Sequence, residues 1–230
     1  MRRAPWSRAA VPLLALGLIC LPPLADATPA DTAGKELSFA ELDAATMERL
    51  LRSGSLLLVR QNPDGSLKEV LSGGLVSAPV DLVWATLTDF ERYPEFMPKT
   101  LKMQVLEKRS PKEWITEQTV EVIISVFKVK LTYQHQQTLE PPNQIRFRHV
   151  SGDLSGTFGG WDLVPAGAGR QTMVFYTLYS NLMALPWPVG AILKAEPDFM
   201  TAVNVTTGLL VVKAVKEEVE KRARASSPGP

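Results

Sequence analysis

The sequence has one cysteine, Cys20, and two histidines, His135 and His149, in 230 residues. A lone thiol cannot close an internal disulfide, so stability must come from core burial. Zinc usually takes three or four protein ligands, and no Cys/His spacing of that kind occurs. No serine sits in an elbow motif, and there is no phosphate-cradling glycine loop and no internal repeat, so nucleophilic hydrolysis and nucleotide chemistry lack a motif. Neither a metal nor a cofactor is expected. Charge of one sign is lacking too: 25 Lys and Arg stand against 24 Asp and Glu, a formal net +1. A strongly basic nucleic-acid surface is therefore not expected.

What is present begins with a leader pattern. Arg2, Arg3 and Arg8 surround the start of an apolar run, Ala9 to Leu21, that is too short to span a bilayer comfortably. Ala25 and Ala27 then supply small residues where signal peptidase reads. Residues 1–27 are expected to be a cleaved secretory signal, which places the mature chain in the periplasm or outside the cell. Ile19 precedes Cys20 where lipid attachment needs a small residue, so a lipoprotein is not expected. Cleavage removes three arginines and Asp26, takes the formal charge from +1 to −1, and leaves no cysteine.

Residues 28–54 read as a polar tether followed by a helix. Ser38 and Glu41 have capping-box spacing, Leu42, Met47, Leu50 and Leu51 give one apolar face, and Gly54 stops the helix. Residues 55–224 suit a single domain, and 225–230 a disordered polar tail. The domain opens with two β-type runs flanking Asn62-Pro63-Asp64-Gly65, a hairpin turn. Next comes "APVDLVWATLTDFERYPEFMP", Ala78 to Pro98. Val80, Val83, Trp84 and Leu87 form an apolar helical face, and Pro94 and Pro98 stiffen a second, shorter helix.

Six further β-type runs follow: 101–107, 114–126, 128–139, 145–150, 161–164 and 171–180. Pro197 then opens a long helix to about Ala223, apolar nearly all round from Phe199 to Val215, as expected of a helix enclosed by sheet. The expected class is α+β, with a curved antiparallel sheet wrapped around the final helix.

The Ala78–Pro98 stretch, "GGWDLVP" around Trp161 and the long last helix together resemble the START-like polyketide cyclase and lipid-transport superfamily. The similarity runs from about Val70 to Ala223, and the coenzyme Q-binding-like subgroup is the most similar. The resemblance implies a helix-grip fold with a deep cavity between sheet and helix, holding a lipid, sterol, quinone or polyketide without a fixed catalytic residue. Trp161, Phe199, Met200 and Val203 would then face that cavity. Phe96 and Met97 either plug the fold or also form the cavity mouth.

Strand parity sorts the remaining walls. In 114–124 the even positions oppose Glu117 and Glu121, which turns Trp114, Gln118 and Val122 inward. In 128–139 the odd positions oppose Lys128 and Lys130, which turns Tyr133, His135 and Gln137 inward. In 145–149 the odd positions oppose Arg146 and Arg148, which turns Phe147 and His149 inward. Both faces of 171–180 are apolar, so parity assigns neither. Gln118, Tyr133, His135 and His149 form a candidate polar cluster, which either orients a ligand's oxygen or satisfies itself and the backbone.

The expected function is non-enzymatic carriage of a lipid, sterol-like molecule or quinone by a monomer. A cyclase or aromatase using Tyr133, His135 and His149 as acid–base groups is the alternative. The uncharged segment 182–193 holds Trp187 between Pro186 and Pro188, which exclude a regular helix or central strand there. It is either a core lid or a gate making transient contact with a membrane surface.

Overall fold

The computed structural model describes residues 43–124, 127–185 and 189–226. The expected signal, the tether, the Ser38–Glu41 box, Leu42, Trp187 and residues 227–230 lie outside these.

Asp43 caps helix α1 (Ala44–Ser53), its carboxylate accepting from the Thr46 amide at 2.9 Å and the Thr46 hydroxyl at 2.8 Å. Met47 and Leu51, one turn apart, are buried, whereas Leu50 is 41% exposed. The apolar face of α1 is thus narrower than expected.

The hairpin β1 (Leu56–Gln61) and β2 (Leu67–Val76) forms where the turn residues place it, with Gly65 at φ +82 and the Asn62 amide donating to the Ser66 carbonyl at 2.8 Å. Helix α2 (Val80–Thr88), a 3-10 turn at Phe90–Arg92 and the short α3 (Tyr93–Phe96) then carry the chain to the far edge of the sheet. From that edge β3 (Thr100–Ser110), β4 (Glu113–Ile124), β5 (Phe127–Glu140), β6 (Gln144–Gly152), β7 (Phe158–Ala166) and β8 (Gln171–Tyr179) run as a meander. The order is β1-β2-β8-β7-β6-β5-β4-β3, antiparallel throughout.

Within segment 182–193 the expectation of no regular helix is corrected. A 3-10 turn covers Leu182–Ala184 and helix α4 (Val189–Ala195) starts just past the second proline, where a helix can begin anew.

Helix α5 (Pro197–Ser226) continues two residues into the expected tail. It is not enclosed all round as expected: Phe199 is 42% and Leu210 48% exposed. Its close contacts to the sheet fall on β2 and β8. A Cβ on Gly208 would sit 2.5 Å from the Ser72 hydroxyl, and one on Gly74 2.8 Å from Val212 Cγ1. Lys216 Nζ donates to the Leu75 carbonyl at 2.6 Å, and Arg222 reaches Asp89 at the end of α2 at 3.1 Å.

Two apolar clusters result. One joins Val83 and Leu87 of α2 to Val212, Val215 and Val219 of α5 and to the β6–β8 face. The other gathers Leu67, Val70, Leu131, Leu185, Val189 and Leu193.

The fit of α5 against β2 is testable. Ser72 Oγ is buried without a hydrogen-bond partner, so losing it costs little. Gly208→Ala is expected to destabilise the protein by about 1–2 kcal/mol through overpacking. In a Ser72→Ala background the same change should be neutral or stabilising, because the obstructing oxygen is gone and alanine is the better helix former. Urea denaturation of the four proteins in this cycle measures it; equal costs in both backgrounds would refute the close contact.

Candidate functional site

Between α5 and the inner face of β4–β8 lies a cavity of about 470 Å³, with walls from both apolar clusters. Strand alternation delivers its sheet side. Tyr133, His135 and Gln137 point inward from β5 and are buried, while Lys128, Lys130 and Thr132 face solvent. The exposed lining residues Lys99, Ile123, Phe199, Thr206 and Leu210 mark the mouth. This explains the unenclosed side of α5: its outward apolar residues line the cavity.

The exit from α3 shapes one rim. The Tyr93 hydroxyl donates to the Leu87 carbonyl at 2.6 Å, folding the proline-stiffened turn back onto α2. Met97, Pro98 and Lys99 then meet the cavity, with Lys99 at φ +57 and its carbonyl accepting from the Glu121 amide at 2.9 Å.

Of the residues expected to face a ligand, Met97, Gln118, Val122, Tyr133, His135, Phe147, Trp161, Phe199 and Val203 line the cavity. Four others do not. His149 is half-exposed, with Nε2 3.2 Å from the Gly152 carbonyl oxygen. His149 keeps its register opposite inward-facing His135, but the β6–β7 pairing ends at Arg148 and the cavity does not extend to it. Trp114 packs edge-on to Phe90 at 5.9 Å beneath the Lys108 ammonium, at the hairpin end of β4. Phe96 turns toward the end of α5, with the Arg222 guanidinium 5.8 Å from its ring. Met200, one step round the helix from Phe199, is buried in the second apolar cluster. In segment 182–193, Leu182, Leu185, Val189 and Leu193 are buried and Leu182 lines the cavity, and Trp187 lies outside the described residues.

Tyr176 and Leu178 on β8 were missed. Both line the cavity, while Phe175 on the opposite face lies over Gly73, near Leu51 of α1. A helix on the back of the sheet makes both faces apolar and erases the parity signal.

Inside, five rings run across neighbouring strands. Tyr133 lies 4.8 Å from His135, and His135 stacks on Phe147 at 5.0 Å. Phe147 stands 6.2 Å from Tyr176, and Tyr176 is 4.5 Å from Trp161. Phe147 can lie flat only because its β7 neighbour is Gly159, where a Cβ would come within 2.6 Å of the ring.

Gln118 donates to Thr100 Oγ1 and Gln137 to Thr116 Oγ1, each at 3.0 Å. His135 Nε2 is buried without a partner. Burial, aided by repulsion from His149, pushes the His135 pKa down to about 3, and burial pushes those of Tyr133 and Tyr176 well above the usual phenol range. All three side chains are therefore neutral near neutral pH. Among the described residues no group of three His, Cys, Asp or Glu side chains could hold a metal ion.

Comparison with known proteins agrees with this architecture. Residues 76–196 match the family described as polyketide cyclase / dehydrase and lipid transport. The Zhui aromatase/cyclase from Streptomyces sp. R1128 is similar, with a TM-score of 0.58 and 22% identity over 70% of this chain and 99% of that one. A STAR-related lipid transfer protein from Xanthomonas axonopodis gives 0.54 and 18% over 73% and 94%. At such identities these likenesses concern the fold alone. No curated protein sequence matches. The family match spans more than half of the sequence, and the curved sheet, long last helix and the cavity between them accompany it: the chain belongs to the polyketide cyclase / dehydrase and lipid transport family.

Proposed function

We propose that this protein is a non-enzymatic carrier of a hydrophobic small molecule, a lipid, sterol-like molecule or quinone, working in the periplasm. The cavity carries this reading: its walls are apolar side chains with a few placed polar groups, and its charged lining residues, Lys99 and Glu121, belong to the rim. The leader pattern of residues 1–27 supports export.

The family's description, which names cyclases and dehydrases beside lipid transport, favours a second reading, in which His135 and Tyr133 serve as acid–base groups. Their protonation argues against it. An imidazole with a pKa near 3 is a weak base at neutral pH, and phenols raised above their usual range are weak acids.

Organic extraction of the purified protein, followed by mass spectrometry, is expected to release an apolar molecule in near-stoichiometric amount. No extracted species, together with no uptake of an apolar fluorescent probe, would sink the carrier reading. Loading from a bilayer is part of the proposal, through the uncharged segment around Trp187. Trp187→Ala is expected to slow ligand transfer from liposomes while leaving equilibrium affinity unchanged; equal transfer rates would favour the lid.

The neutral His135 also has a stability signature. Its folded pKa lies below the unfolded value of about 6.5, so below that pH the unfolded chain binds the extra proton and stability falls. The loss should reach roughly 1 kcal/mol per pH unit between about pH 6 and 4, and His135→Phe should lack it. Denaturation midpoints of both proteins across that range decide; parallel curves would mean that the imidazole charges in the folded state.

A further inference from the structure

The cavity has polarity without charge. His135, 7% exposed, lies on its wall with Nε2 unpartnered. A neutral imidazole offers one donor and one acceptor, and a buried polar group is costly unless it finds a partner. Tyr133, whose ring is 4.8 Å from that of His135, and Tyr176, beyond Phe147, bring two phenol hydroxyls to the same wall. Among the described residues, no lysine, arginine or carboxylate joins them. Lys99 is exposed, and its neighbour across the rim is Glu121.

We infer that the cavity selects a ligand bearing a neutral oxygen, a carbonyl or hydroxyl, and seats that oxygen against His135 beside Tyr133 and Tyr176. A carbonyl takes a hydrogen bond from the imidazole or a phenol, and a hydroxyl can also give one back. The adjoining rings of Phe147 and Trp161 offer flat surface to an unsaturated or ring-bearing body. A carboxylate or phosphate placed there would lose its water with no cation to meet it. Free fatty acids and phospholipid headgroups are therefore excluded from the inner end, which takes ketones, quinones or alcohols. This inference rests on the carrier reading and deepens it.

The test uses three naphthalene probes of equal chain length: an alkyl form, an acyl ketone and a carboxylate. Affinities are measured by fluorescence on the purified, delipidated protein near neutral pH and corrected for each probe's partition into octanol. The ketone is expected to bind about 10-fold tighter than the alkyl probe, the worth of one well-made hydrogen bond. The carboxylate should bind about 100-fold more weakly than the ketone. In His135→Phe, and separately in Tyr133→Phe with Tyr176→Phe, the ketone-to-alkyl ratio should fall toward one. That ratio is the readout, so a variant with altered overall packing still reports on the oxygen. Equal affinity for alkyl and ketone probes in the wild type, a ratio unchanged in both variants, or a carboxylate that binds as well as the ketone overturns the inference and leaves the carrier reading standing. Failure of all three probes to bind overturns both.

Discussion

Where α5 crosses β2, glycine stands on the helix at Gly208 and on the strand at Gly74, and an added Cβ at either would run into a facing side chain, Ser72 or Val212. The helix therefore lies close on β2 and β8 at this crossing. Held at one side of a curved sheet, the helix stands off the inner faces of β4, β5 and β6. The space left over is the cavity, and its inner walls are the side chains that a closer helix would have covered. Arg222 with Asp89, and Asn204 bonded to both the amide and the carbonyl of Ser180, fix α5 beyond that crossing. Two glycines thus let the helix sit close at one side, and a few polar ties hold it there.

The chemistry of the cavity follows from the same geometry. Each inward strand position had to be apolar or satisfied nearby, and the glutamines comply: Gln118 bonds Thr100 and Gln137 bonds Thr116, within the wall. His135, on the cavity wall, does not: its Nε2 is buried and has no partner. Its low proton affinity keeps an unpaired charge out of the interior.

Much of this was legible in the residues. Turn chemistry at Asn62–Gly65, alternation on β4 and β5 and the proline opening α5 gave element order and class, and alternation placed Gln118, Tyr133 and His135 on the inner wall. Alternation fails where its assumptions fail. His149 is in register with inward-facing His135 but lies past the last β6–β7 pair, beyond the cavity; on β8 the back of the sheet is covered by α1, so Phe175 and Tyr176 look alike in sequence while facing opposite ways. Helical apolarity misled for a related reason: a side chain facing an oily void and one facing a packed core are the same residue type. Leu210 is leucine because of the cavity, and no periodicity separates that from burial in a core.

A void of about 470 Å³ inside a described fold without a cysteine has a thermodynamic consequence. With no covalent cross-link among the described residues, any molecule that occupies this volume would add its binding free energy to that of unfolding. A ligand at a hundred times its dissociation constant adds about 2.7 kcal/mol. An empty molecule then opens roughly a hundred times more often than a filled one, and cleavage that acts on opened chains removes empty molecules first. For a carrier, lifetime becomes a function of load, and the population that survives is the one that is occupied.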